Sequence, residues 1–289
     1  MYHTVAELLE LADTQKVPLW VPVLQNECKM SGLSEEEIFK KLDERYEVMY
    51  QSATRALTES RPTVGGLIEG VARTHHQYAQ TNGGIMGKCL NMAMSRALSC
   101  SETNAAMGRI CAAPTAGACG IMPAVLISVA ETYDLPRRVI LEGLLTASGI
   151  GAIITKNATV SGAEGGCQAE CGVAASMAAA AAVQMAGGSP QMAAHAVSLA
   201  LMNCLGLVCD PVAGLVQVPC AQRNASQAIN AILSADLALG GMQSIIPTDE
   251  VIEAMYRVGK QLPMQLRETA LGGIAASPTG RAIYEKIFK

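Results

Sequence analysis

Residues 162–171 read GAEGGCQAEC, two thiols four positions apart between paired glycines and an alanine-rich run, with Glu164 and Glu170 close by. Further on, CDPVAGLVQVPC sets Cys209 and Cys220 at the two ends of a loop stiffened by Pro211, Gly214 and Pro219. Stiff loops fix ligand positions. A thiolate is the soft ligand that iron–sulfur clusters and zinc select, and a helix start adds backbone N–H groups that stabilise an anion. Cys167, Cys209 and Cys220 all fall in Gly/Pro-rich loops or at helix edges, whereas Cys89, Cys100 and Cys204 fall inside apolar helical stretches where a thiol is ordinary packing. The intervals of 42 and 11 residues match neither a zinc finger nor a ferredoxin run. Spacing alone therefore leaves a metal site and simple packing both open.

Other segments offer substrate-binding chemistry. APTAGACG, 113–120, is a restrained loop entering a helix, in which Thr115, Gly117 and the backbone N–H groups can hold a carboxylate, or simply form a tight turn. TKNATVSGAE, 155–164, places Lys156, Asn157, Ser161 and Glu164 just before Cys167. In an apolar setting Lys156 would serve as a base or carboxylate anchor; at a helix end it would only reach solvent. Arg223 and Asn224, directly after Cys220, can orient a carboxylate or bond to cluster sulfides, though Arg223 can equally pair with an acid. His75, His76 and His195 have no thiol nearby in sequence and read as core or surface histidines.

The elements that must position these groups follow from composition. Half of the 289 residues are hydrophobic, only 3% are aromatic, and Ala, Gly and Met supply much of the apolar content. Small side chains permit close helix–helix approach, and aromatic or β-branched alternation is scarce, so the expected fold is mostly α: an Ala/Gly/Met-rich multi-helix domain with cluster-binding loops. Helices are expected at 4–16, 34–58, 66–80, 85–109, 120–132, 136–151, 168–186, 190–206, 221–239 and 248–260. Ser34 and Glu37 have capping-box spacing. Residues 1–60 are far more charged than the rest of the chain and form an N-terminal helical arm; residues 61–289 form the helical domain that bears the thiols, the whole making one structural domain.

A net charge of −4 and a pI near 5.6 leave no basic stripe for nucleic acid or an anionic membrane surface. The partner expected is a small molecule or another protein. Residues 192–209 come closest to a membrane span, but His, Ser and Asn within them favour a buried core helix. The N-terminus carries Glu7, Glu10 and Asp13 and no apolar signal core, so a cytoplasmic location with ten reduced thiols is expected.

Four segments, GAEGGCQAECG, NCLGLVCDPVAGLVQVPCAQRNA, AAPTAGACGIMPAVL and LRETALGGIAASPTG, spanning roughly residues 65–280, resemble the α chain of iron–sulfur-dependent bacterial L-serine dehydratase. That resemblance implies a 4Fe–4S cluster held by Cys167, Cys209 and Cys220, with one iron left open as a Lewis acid, and no ligand role for Cys171. It implies conversion of L-serine to pyruvate and ammonia, a lyase step of amino-acid degradation that feeds gluconeogenesis. Single-chain members of the family carry a further domain with an SSSHT-type segment whose histidine suits the catalytic base. This sequence has no such segment, so the resemblance implies a heterodimer with a smaller β subunit, the charged arm being one candidate docking surface. The terminal cysteine with which some single-chain relatives cap the open iron is also absent, the sequence ending Glu-Lys-Ile-Phe-Lys. Other readings remain open: a cysteine desulfidase or threonine dehydratase on the same scaffold, or a non-catalytic zinc or redox protein using Cys167 and Cys171.

Overall fold

The computed structural model describes residues 1–289, leaving aside the side chain of Asn82. Helix α1 (Val5–Gln15) starts where Thr4 accepts the Glu7 N–H, and α3 (Glu35–Arg55) starts on the Ser34/Glu37 capping box, both partners satisfied. The chain continues through α4 (Val71–Asn82), α5 (Gly87–Ala105), α6 (Ile121–Tyr133), α7 (Arg137–Asn157) and the single turn α8 (Gly162–Gly165). One π turn, Gln168–Gly172, then leads into α9 (Val173–Met185), followed by α10 (Pro190–Met202), α11 (Cys220–Leu239) and α12 (Thr248–Gln261). Among the described residues there is no strand, only an isolated parallel bridge between Cys209 and Arg267, so the fold is mostly α as expected.

Two helices escape the sequence reading. In α2 (Trp20–Ser31) Pro22 looks like a breaker, but it sits in the first turn, where its missing N–H costs nothing. In α13 (Pro278–Phe288) the letters SPTG look like a turn. They are instead an N-cap serine, accepting the Gly280 N–H at 3.1 Å, followed by proline at the first helical position.

Helix α9 lies at the centre, packed by α6, α7, α10 and α11, and all its residues except Gln184 are buried. Its run of alanines lets the neighbours approach closely. On α7, a Cβ at Gly143 or Gly151 would come within 2.8 Å of Met185 or 2.7 Å of Met177, so glycine there is what permits the crossing. Helix α7 is also the one helix among the described residues long and apolar enough to cross a membrane, but 67% of its apolar window is buried against protein. The stretch 192–209, expected as a buried core helix, is helical only as far as Met202, where α10 stops.

Helices α1 to α3 pack on this body. Asp249, in the first turn of α12, accepts the N–H groups of Val5 (2.8 Å) and Ala6 (3.0 Å), placing a carboxylate on the positive end of α1. On the other side Arg137 donates to Asp43 at 2.6 Å and lies 4.5 Å over the Tyr46 ring. The head of α9, the 209–220 loop, the 113–120 loop and the segment after α12 are brought together by hydrogen bonds among them.

Candidate functional site

Cys167 sits just ahead of the π turn, and the next residue bolts it in place. The buried Gln168 donates from its amide to Met255 O (2.9 Å), accepts the Gly206 N–H (2.8 Å) and gives its own N–H to Leu207 O (3.0 Å). The turn is thus tied both to α12 and to the stretch of chain that leads into Cys209. Cys209 in turn donates its N–H to Leu266 O (2.9 Å) and accepts the Glu268 N–H (2.7 Å), drawing residues 266–268 over the loop. Cys220 is the first residue of α11, whose Ala221 and Arg223 N–H groups donate to Gln217 O (2.8 Å) and Pro219 O (2.9 Å).

All ten cysteines are free, and these three are buried, with relative exposures of 2%, 3% and 8% for Cys167, Cys209 and Cys220. They feel one another. Burial pushes Cys209 well above the usual thiol range and Cys220 up to about 12, and in both the charge on Cys167 adds to the rise. Cys167 goes the other way: a hydrogen bond from the Cys171 thiol lowers it against the cost of burial, with help from the Arg223 guanidinium. Cys171 is correspondingly held far up. The two thiols of CQAEC therefore do face the same way, one supporting the other. Among the described residues no three His, Cys, Asp or Glu side chains close on a point tightly enough to chelate a single ion.

Arg223 pairs with an acid, one of the readings given to it. Its guanidinium pairs with buried Asp210 (2.8 Å), donates to Val208 O (2.7 Å) and is held charged in part by Cys167. Asp210 also accepts the Ile274 N–H at 2.8 Å, which fastens the C-terminal segment to the loop. Asn224, 1% exposed, links two of the segments: it accepts the Gly120 N–H (2.8 Å) and donates to Gly117 O (2.7 Å) and Cys220 O (2.9 Å).

Thr115 holds a carboxylate, and that carboxylate belongs to the protein. Its hydroxyl donates to Glu170 Oε1 at 2.5 Å while accepting the Ala118 N–H at 3.2 Å. Glu170 is 8% exposed, and burial raises it above the ordinary glutamate value, with Glu268 adding and Thr115 opposing. Glycine at position 117 leaves room for Glu170, because a Cβ there would lie 2.6 Å from Glu170 Oε1 and displace the carboxylate. At Gly162 a Cβ would meet Glu268 Oε2 (3.1 Å), Cys209 Sγ (3.2 Å) and Glu170 Oε2 (3.3 Å), so two carboxylates and a thiol line the same small gap.

The remaining expected residues lie apart from these contacts. Lys156 is exposed, its Nζ meeting the His3 ring, and Asn157 donates to His3 O at 2.6 Å, so both fasten the N-terminus to the end of α7. The apolar setting on which a catalytic Lys156 depended is not what the fold provides. Ser161 stands at the start of α8 with no capping bond from its side chain. His195 accepts the Ser244 N–H (3.2 Å), and His75 leans on Tyr78. Sequence reasoning gave no role to Glu170, Glu268 or Asp210. The signal for the first was present, since Glu170 lies three residues after Cys167 on a helix start; nothing local marks Glu268, which arrives through the backbone bridge to Cys209.

Residues 14–275 match the family described as serine dehydratase alpha chain. The chain is 51% identical over 289 residues to a protein named L-serine dehydratase, alpha chain, from Peptoniphilus asaccharolyticus, covering all of this chain and 99% of that one. It is 44% identical over 288 residues to a probable L-serine dehydratase, alpha chain, of Bacillus subtilis (strain 168), covering 96% of it. Against the L-serine dehydratase TdcG of Escherichia coli (strain K12), identity is 38% over 284 residues, 95% of this chain but 61% of that longer protein.

Proposed function

Since the chain belongs to the serine dehydratase alpha chain family, we propose that it is the α chain of a cytoplasmic L-serine dehydratase, removing water and then ammonia from L-serine to give pyruvate. What supports the reading is that three buried thiols, one ahead of α9 and two at the ends of the 209–220 loop, lie near enough to feel one another's charge, beside one guanidinium and one buried carboxylate. Thiol donors fit a 4Fe–4S cluster, and Cys167, Cys209 and Cys220 would hold it. When bound, the cluster supplies a Lewis-acidic iron that offsets charge on the substrate and improves hydroxide as a leaving group.

The chain's own residues do the rest of the positioning. Arg223 sets a fixed positive charge beside Cys167, which favours the thiolate needed for ligation. Asn224 keeps the 113–120 loop in register with Cys220, and Thr115 keeps Glu170 aimed at the gap by Gly162. Proton removal from the α carbon needs a base. None of the four histidines hydrogen-bonds to these groups among the described residues, so the base is assigned to a smaller β subunit that docks at this end. Loss of the α proton and the β hydroxyl leaves aminoacrylate, whose hydrolysis releases ammonia and pyruvate.

The test is made on anaerobically purified α chain, with and without the β chain. Brown protein with iron and sulfide, active on L-serine in preference to L-threonine and L-cysteine once β is added, supports the proposal. Serine in place of Cys167, Cys209 or Cys220 is expected to bleach the protein, and Cys89→Ser to leave its colour intact. Colourless, zinc-containing protein without lyase activity refutes it.

A further inference from the structure

A cavity of about 450 Å³ lies between the N-terminal helices and the helical body, lined by α2, α3, α7, the 111–114 segment and single residues of α6 and α9. That volume falls within the roughly 300–1,000 Å³ that small-molecule sites span. Its apolar surface includes Met49, Met122, Leu145 and Met177, all buried. Small side chains at Ala112, Ala113, Ala147 and Ser148 leave the space open where larger ones would fill it. Three of the apolar groups are methionines, whose unbranched thioethers adapt to the shape of whatever enters. None of Cys167, Cys209 and Cys220 lines the cavity.

Two cations share the lining with these apolar groups. Lys41 and Arg45 are exposed and stand four residues apart on α3, a spacing that sets like charges side by side and works against the helix. Neither takes part in an ion pair or a side-chain hydrogen bond among the described residues. Glu37 feels the Lys41 charge but is held in the Ser34 cap, and Asp43 and Glu47 are held by Arg137. The Arg45 charge reaches the cavity wall: burial pushes the Cys111 thiol up, and that guanidinium opposes the rise. Glu27 is the one carboxylate on the lining, and its charge also falls on Tyr2. Two cations against one carboxylate leave the cavity net positive.

We infer that this cavity is a second ligand site, for a small carboxylate with an apolar chain or ring: the chain lies on the methionines and the carboxylate between Lys41 and Arg45. An anion there offsets the repulsion between the two cations while its apolar part leaves water, so both halves of the ligand contribute. The inference stands whether or not the thiols hold a cluster.

Binding is measured calorimetrically on the anaerobic holoenzyme with octanoate, hexanoate and octylammonium, each below the concentration at which it forms micelles. Octanoate is expected to bind about tenfold to twentyfold more tightly than hexanoate, since each further methylene buried gives about fourfold. It should also bind about tenfold more tightly than octylammonium, because the two cations attract one head group and repel the other. K41E/R45E, with both changes on an exposed helix face, should weaken octanoate by about tenfold or more and leave octylammonium no weaker. S148W, which sets an indole at the cavity from an exposed position on α7, should weaken octanoate and octylammonium alike. Circular dichroism checks that both variants keep the helical fold. Octanoate held no more tightly than octylammonium, or bound equally well by K41E/R45E, overturns the carboxylate assignment. Octanoate binding that S148W leaves unchanged overturns the site, and octanoate displaced by the β chain overturns it in favour of a subunit contact.

Discussion

Asn224→Ala removes the side chain that joins the 113–120 loop to the start of α11. Three hydrogen bonds disappear, but they are not equal. Cys220 O lies in the first turn of α11 and retains a helical donor, while Gly117 O is half-buried and can turn toward water. Gly120 N–H is buried and donates to Asn224 Oδ1, the acceptor that the substitution removes. An orphaned buried donor costs about 1–3 kcal/mol, and each further lost bond adds about 0.5–1.5 kcal/mol. The sum for Asn224→Ala is about 2–6 kcal/mol, and at about 2–4 °C per kcal/mol for a chain of this size the melting temperature of the metal-free protein should fall by roughly 4–24 °C. Asn224→Asp keeps the acceptor for Gly120 but loses both donations, so it should lie between the two. Thermal unfolding followed by circular dichroism reads this directly, and iron content after reconstitution reports whether Cys220 has lost its register with the loop. An Asn224→Ala chain that melts within about 1 °C of the parent would refute the reasoning, since it would mean that the two segments are held together by something other than this carboxamide.

Two further outcomes arise from charges buried at the site. Burial holds Glu170 protonated above the ordinary glutamate value of 4.5, so its native form keeps a proton that the unfolded chain releases; stability is full below that value and is lost as pH rises through the raised native one. In metal-free protein, Glu170→Gln should therefore match the parent at pH 4 and exceed it in melting temperature at pH 7 to 8, and equal melting at both ends of the range would count against a desolvated carboxylate. Arg223→Met leaves Asp210, 3% exposed on its side chain, with only the Ile274 N–H, and should cost about 3–5 kcal/mol in urea unfolding. Adding Asp210→Asn should recover part of that loss, and a double variant no better than the single one argues that the pair is not coupled.

The sequence alone determined the helical class and the identity of the candidate ligands, because both rest on local information. Small apolar residues at helical intervals specify helices whatever lies beyond them, and the Ser34/Glu37 box marks a start within four residues. Cys167, Cys209 and Cys220 were singled out as candidates by the segments that resemble a known family, loop placement by itself leaving packing open. Two helices were hidden where proline reads as a breaker but sits in a first turn, at Pro22 and Pro278, a distinction that depends on register rather than composition.

Tertiary structure alone decided which polar groups share the gap beside the thiols. Lys156 is eight residues from Glu164 in sequence, yet it is spent on His3, 153 residues away, while Glu268 reaches the site from far along the chain through its bond to Cys209. Thr115 meets Glu170 over 55 residues and Asn224 meets Gly120 over 104. No spacing rule carries such contacts. They arise where buried hydrogen-bond donors and acceptors must be satisfied between helices that the apolar core has already brought together, and that matching is settled only once the whole chain is packed.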